Sequence, residues 1–94
     1  MVKHIVTWKL KEENKDENLL KIKNLLEDLK LKIDYIKELE VGINENGGEF
    51  DVILLTAFND YNDLKKYDVD EDHGKVKEFI KNCVLKRIAV DYTV

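Results

Sequence analysis

The sequence predicts a single α+β domain whose elements follow the order β-α-β-β-α-β. Two observations predict this class. The spacing between apolar residues changes along the chain: it is two residues, then three to four, and then two again. The segment Asn46-Gly47-Gly48 marks a turn between two strand-like runs, because these residues tolerate positive φ. A chain of 94 residues with 44% apolar side chains is large enough for one core and too small for two.

The first strand is predicted over residues 2–10, because the side chains there alternate with a period of two and several are β-branched. One face of it carries Val2, His4, Val6, Trp8 and Leu10. The first helix is predicted over residues 16–33, because apolar residues recur there at steps of three and four. They form a single stripe along this helix: Leu19, Ile22, Leu26, Leu29 and Ile33.

Residues 36–45 and 50–58 predict two further strands, joined as a hairpin through the glycine-rich turn. Asn59-Asp60 is a cap signal for a short helix that ends at Tyr67. An acidic stretch then leads into a longer helix, whose buried stripe is Val76, Phe79, Ile80, Cys83 and Val84. The final strand is predicted over residues 85–94. This order is the ferredoxin-like plan, an antiparallel four-stranded sheet with the helices on one face.

Apolar residues on the other face of the sheet predict a partner subunit. Residues 50–58 are apolar on both faces, with Val52, Leu54 and Phe58 on one and Ile53, Leu55 and Ala57 on the other. The last strand adds Ile88, Val90 and Tyr92. Because helices can cover only one face, a monomer would leave a continuous apolar surface in water. We therefore predict a two-fold homodimer that joins sheet to sheet.

Charge and composition exclude several classes of function. The net charge is −4, and no cluster of lysines stands apart from acids, so neither nucleic acid nor an anionic membrane surface is an expected partner. The start of the chain lacks the apolar segment of a signal peptide, and no apolar run is long enough to span a membrane. The lone Cys83 has no disulfide partner. We therefore expect a cytoplasmic protein.

Four short segments carry a resemblance to a known family through their order and spacing. They are Lys3-His4-Ile5-Val6, Val41-Gly42, the segment from Tyr67 to His73, and Asp91-Tyr92. In these segments the chain resembles the stress-responsive A/B barrel domain family, a branch of the dimeric α/β-barrel proteins. The resemblance covers nearly the whole chain and implies an α/β barrel shared by two subunits. Most members of this family have no assigned activity.

The resemblance also implies candidate catalytic residues. Plant polyketide cyclases of this fold close a linear polyketide by an aldol-type reaction without metal or cofactor. They use a tyrosine and a histidine in the pattern Tyr-x5-His, with another histidine in the first strand. Tyr67, His73 and His4 match these positions. The family often has a proline two residues before the later histidine, where this chain has Glu71.

The chemistry of these residue types is consistent with that role. Aldol closure needs a base beside a carbonyl and a donor that stabilises the enolate oxygen, which His73 and Tyr67 would supply. An alternative is purely structural, with His73 at a helix start and Tyr67 covering the core. The acidic residues 68–72 lack the glycine and the glutamate that a calcium loop requires, and no metal-ligand spacing is present.

We therefore expect a homodimeric domain that binds a small, largely apolar molecule between helices and sheet, with no cofactor and no metal. The predicted lining residues are His4, Val6, Trp8, Leu54, Tyr67 and His73. Two alternatives remain open: a cofactor-independent enzyme that uses His73 and Tyr67, and a non-catalytic structural or interaction dimer.

Overall fold

The computed structural model describes all 94 residues and contains four strands and three helices. The strands are β1 (Val2–Leu10), β2 (Glu38–Ile43), β3 (Val52–Phe58) and β4 (Val84–Thr93). The helices are α1 (Lys15–Lys32), α2 (Tyr61–Asp68) and α3 (Glu71–Cys83). The second helical region thus consists of a short and a longer helix, as the sequence predicts. None of the helices is long and apolar enough to cross a membrane.

The four strands form one antiparallel sheet in the order β2-β3-β1-β4. This confirms the predicted ferredoxin-like topology. The helices cover one face, which we call the helix side, and the opposite face is the open side. The core between helices and sheet is a single apolar cluster, whose most deeply buried members include Val6, Leu10, Ile22, Leu26, Leu29, Leu54, Phe58 and Tyr67.

The hairpin connection is longer than the sequence predicts. β2 ends at Ile43 and β3 begins at Val52, so residues 44–51 form the link. Within this link, asparagine side chains accept from the backbone: the Asn46 amide donates to Asn44 Oδ1 at 3.0 Å, and the Gly48 amide donates to Asn46 Oδ1 at 2.7 Å. Such local bonds compete with sheet formation and shorten both strands.

The open side of the sheet carries an apolar surface that no part of the chain covers. Ile5 lies directly between Leu55 and Val90 on the neighbouring strands. In the adjacent row, Thr7 lies between Ile53 and Ile88. We call this surface the open-side patch; its exposed members are Ile53, Ile88, Val90 and Tyr92.

Ala57, which the sequence places on this same face, is fully buried. Its direct neighbours on the two flanking strands are Lys3 and Glu38. The Lys3 Nζ and Glu38 Oε2 atoms lie 3.7 Å apart, so this ion pair passes over the small side chain. The open-side patch therefore ends at a charged border.

A β-bulge determines which residues of β4 face the helices. Lys9 pairs with Lys86, but the next pair is Leu10 with Val84, so Leu85 is one extra residue in β4. A bulge of this kind redirects the side chains that follow it. Val84 therefore faces the helix side before the bulge, and the odd-numbered Arg87, Ala89 and Asp91 face it afterwards.

Candidate functional site

A cavity of about 280 Å³ lies between the sheet and the helices α1 and α3. Half of its lining is apolar and comes from the inner faces of the sheet and the two helices. Its polar lining consists of two histidines and four charged residues. The lining residues are His4, Val6, Trp8, Leu26, Leu54, Asp68, His73, Lys77, Ile80, Lys81, Val84 and Arg87.

Of the six residues predicted to line a site, five lie on the wall of this cavity: His4, Val6, Trp8, Leu54 and His73. The sixth, Tyr67, lines an adjoining open groove of about 500 Å³. His4, Asp68 and Arg87 border both spaces, so they lie at the junction between cavity and groove. The structure thus places both histidines on the wall of one cavity, and Tyr67 beside the adjoining groove.

His73 is held in place by the junction of α2 and α3. Asp70 caps α3, and its carboxylate accepts a hydrogen bond from the His73 amide at 3.0 Å. The Nδ1 atom of His73 lies 2.7 Å from the carbonyl oxygen of Tyr67. Because a carbonyl can only accept, Nδ1 carries the proton and Nε2 carries the lone pair of the neutral ring.

Burial lowers the pKa of His73 to about 4, and the nearby Lys77 acts in the same direction. The hydrogen bond to the Tyr67 carbonyl opposes this shift without reversing it. The ring is therefore neutral at neutral pH. Its Nε2 atom makes no hydrogen bond with the protein, yet it is not among the fully enclosed polar atoms. Nε2 is thus an open acceptor beside the cavity.

Tyr67 packs as an aromatic residue and leaves its hydroxyl unused. Its ring stacks on the His73 ring with 3.7 Å between centroids, and lies 5.2 Å from the Phe58 ring. The hydroxyl is fully enclosed and has no hydrogen-bond partner. Burial, reinforced by Asp70, raises the pKa of Tyr67 well above its ordinary value. Tyr67 is therefore a neutral donor without an acceptor.

His4 forms a second polar unit that sequence reasoning missed. Its Nδ1 atom lies 2.5 Å from Asp91 Oδ1, and the two residues are direct partners across β1 and β4. The carboxylate can only accept, so it fixes the proton on Nδ1 and leaves Nε2 free of protein partners. A carboxylate that orients an imidazole in this way is a common arrangement around a base.

Two signals in the sequence bear on these missed contacts. Asp91 belongs to a segment that carries the family resemblance, but nothing in the sequence gives its partner. Glu71, which stands where the family often has proline, is the first residue of α3. Proline is favoured at that helix position and an acidic residue is also stabilised there, so the two residue types serve the same local structure.

The arrangement offers proton acceptors and donors in an apolar cavity. No group of three or more His, Cys, Asp and Glu side chains lies together in a way that could hold a metal ion. The residues that line the cavity offer apolar contact and hydrogen bonds to a bound molecule, and two imidazoles that can take part in proton transfer.

The fold and the cavity define a ferredoxin-like α+β domain with a polar-edged apolar cavity under its helices. The model of the stress responsive A/B barrel domain family matches residues 2–94. The chain belongs to this family. None of the curated proteins matches the sequence significantly.

Solved structures share this fold along their whole length. A dimeric protein of unknown function from Bacteroides fragilis is 32% identical, with a TM-score of 0.92 over 99% of this chain and 95% of that one. A dimeric ferredoxin-like protein of unknown function from Thermobifida fusca is 17% identical, with a TM-score of 0.89 over 99% and 90%. The hydroxynitrile lyase of Passiflora edulis is 15% identical, with a TM-score of 0.87 over 99% and 92%.

Proposed function

We propose that this protein is a homodimer in which each subunit binds a small, largely apolar molecule in the cavity between helices and sheet. The observation that carries this proposal is the cavity itself. It has a volume of about 280 Å³, and half of its lining residues are apolar. A volume of this size is close to the lower end for small-molecule sites, which fits a ligand of one ring or a short chain.

The lining of the cavity supports an apolar ligand that is oriented by a few polar contacts. Val6, Trp8 and Leu54 form the floor on the sheet, and Leu26 and Ile80 come from the helices. The unpaired Nε2 atoms of the two histidines stand at its edge. A ligand with an apolar body and one or two hydrogen-bonding groups matches both the apolar and the polar lining residues.

The open-side patch supports the homodimer. Ile88 and Val90 are each more than half exposed in one subunit. Val90 lies opposite Ile5 on β1, and Ile88 lies opposite Thr7, whose other neighbour is the exposed Ile53. Contiguous apolar surfaces of this kind usually mark an interface. The related protein from Bacteroides fragilis is itself described as dimeric. β4 is also a ten-residue edge strand with exposed backbone groups, which a partner subunit would protect.

A second candidate function is cofactor-independent proton transfer, of the polyketide-cyclase type, at the same cavity. The observation in its favour is the pair of imidazoles, His73 and His4, that border one space with their Nε2 atoms unpaired. In this candidate His73 is the base, Tyr67 is its ring partner, and His4 with Asp91 is a further acceptor. The structural likeness to the lyase from Passiflora edulis shows a common fold alone and does not add to this candidate.

The binding experiment uses the fluorescence of Trp8, which is the only tryptophan and lies on the cavity wall. The purified protein is titrated with a panel of phenolic and polyketide-like compounds. We expect a saturable change for at least one compound, weakened severalfold in His73→Ala. The matched control is Glu78→Ala, an exposed residue of the same helix away from the cavity.

Turnover separates the two candidates. Compounds that bind are incubated with the protein, and any product is followed by mass spectrometry. Product that forms with wild type and is lost in His73→Ala and His4→Ala would establish the enzyme. Saturable binding without product would leave the binding function. No saturable change with any compound of the panel would contradict both candidates and favour the structural dimer.

A further inference from the structure

Arg87 is the only arginine among the 16 basic residues of the chain, and it faces the cavity. It follows the bulge in β4 and lies directly opposite Trp8 on the helix side of the sheet. Cross-strand partners of this kind have their Cβ atoms about 5 Å apart. Arg87 borders both the cavity and the adjoining groove, so it stands at the junction between them.

The guanidinium of Arg87 is unused within the subunit. It makes no ion pair and no hydrogen bond with the protein, whereas His4, also on the junction, is paired with Asp91. Eight ion pairs elsewhere occupy lysines or His4, and none involves the arginine. Arginine carries more N–H donors in a fixed geometry than any other side chain. All the guanidinium donors of Arg87 are therefore available beside the cavity.

The charge around the cavity is positive although the chain is acidic. The whole sequence has a net charge of −4, but the cavity is lined by three basic residues and one acidic residue. Lys77 is occupied by Asp68, whose carboxylate lies 3.5 Å from its Nζ atom. Lys81 has no ion pair, so two unpaired cations remain, Lys81 and Arg87. An anionic group would enter a locally favourable potential.

We propose that the molecule bound in this cavity carries a carboxylate, which the guanidinium of Arg87 receives as a two-pronged hydrogen-bonded pair. The inference rests on the proposed binding function and names the class of its ligand: a small apolar or aromatic carboxylic acid. The planar fork of arginine matches the two oxygens of a carboxylate. The apolar body of the acid lies against Trp8 and Leu54.

The test compares 4-butylbenzoate with 4-butylbenzamide, which have the same shape and differ in charge. Binding of each is measured by Trp8 fluorescence and by calorimetry. In wild type the carboxylate binds at least about tenfold more tightly than the amide, as expected for a charge-assisted pair. Arg87→Gln lowers the affinity for the carboxylate about tenfold and so removes this preference. Arg87→Lys keeps the charge but not the fork, and retains only part of the preference.

Lys86→Gln is the matched control, because Lys86 is the preceding residue of β4 and is paired with Glu49 at 2.5 Å. This variant should keep the full preference for the carboxylate. Equal binding of both compounds by wild type, or a preference that survives in Arg87→Gln, would overturn the assignment to Arg87 and leave the proposed binding cavity intact. Failure of both compounds to bind wild type would overturn the assignment together with the proposed function.

Discussion

The imidazole of His73 is held twice by the same residue, Tyr67. The two rings are stacked with an angle of 13° between their planes, and Nδ1 of His73 bonds the backbone carbonyl of Tyr67. The side chain of Tyr67 thus sets the plane of the imidazole, and its backbone sets the position of the proton. This contact joins the end of α2 to the first turn of α3, so the orientation of the histidine depends on both helices.

We expect acid to destabilise the fold through His73. The pKa of His73 is about 4 in the folded protein, below its ordinary value of 6.5. Between these values the unfolded chain binds the proton and the folded chain does not, so stability is full above pH 6.5 and falls as the pH drops toward 4. The expected loss is on the order of 2 kcal/mol, because residual solvent contact weakens the effect.

Urea unfolding at pH 7, 5.5 and 4 checks this prediction, with His73→Gln as the comparison. Glutamine does not titrate, so the difference in unfolding free energy between the two proteins should change with pH through this window. A parallel pH dependence of both proteins would show that His73 is not the group responsible. Direct NMR titration of the ring should place its pKa well below 6.5.

The unused hydroxyl of Tyr67 predicts an unusual response to its removal. In Tyr67→Phe the ring contacts with His73 and Phe58 remain, and an enclosed donor without a partner is lost. An unpaired buried polar group costs about 1–3 kcal/mol, so the variant should be as stable as wild type or about 1 kcal/mol more stable. Chemical denaturation measures the change.

Tyr67→Ala is the control for packing. It removes the ring as well and should cost about 3–5 kcal/mol, as for other large aromatic residues in a core. If Tyr67→Phe were destabilised by more than 1 kcal/mol, the hydroxyl would have a partner in solution, such as an ordered water. Loss of ligand binding in a stable Tyr67→Phe would instead identify the ligand as that partner.

Both histidines should carry a proton on Nδ1, each because of a different hydrogen-bond acceptor. Nδ1 of His4 donates to a carboxylate of Asp91, and Nδ1 of His73 donates to a backbone carbonyl. Long-range ¹H–¹⁵N correlation spectra should therefore show a proton on Nδ1 of both rings. Asp91→Ala should alter the signals of His4 and leave those of His73 unchanged. An unchanged His4 in that variant would contradict the pairing.

A charge placed in the open-side patch should dissociate the proposed dimer. Val90 lies in its centre, opposite Ile5, and is 55% exposed in the isolated subunit. Val90→Glu should therefore cost the subunit little, while burying an unpaired charge at the interface costs several kcal/mol. Sedimentation should show monomers for the variant. The control Leu31→Glu, on an 87% exposed residue of α1, should remain dimeric. A monomeric wild type would contradict the proposal.

Most of the fold could be predicted because its strands and helices differ in the spacing of their apolar residues. The alternation in β1 assigns His4, Val6 and Trp8 to one face, and the structure places all three there. The ends of the β2–β3 hairpin could not be predicted as well. The asparagine side chains of residues 44 and 46 form local hydrogen bonds that only a folded loop makes definite.

The polar contacts of the site depend on pairings that a linear pattern does not contain. His4 and Asp91 are 87 positions apart, and their contact requires the register of β1 against β4. That register includes the bulge at Leu85, for which the sequence gives no turn residue or glycine as a signal. The stacking of Tyr67 on His73 likewise depends on how the end of α2 meets the first turn of α3.

The extra residue Leu85 determines which side chains of β4 face the cavity and which face the open side of the sheet. Beyond it, odd positions such as Arg87 and Asp91 face the cavity, and even positions such as Ile88 and Val90 face the open side. If Leu85 were instead paired as a regular strand residue, the two sets would exchange, turning charges toward the open-side patch and valine toward the cavity. The bulged pairing of this segment, rather than the side chain of Leu85, therefore decides which residues of β4 reach each surface.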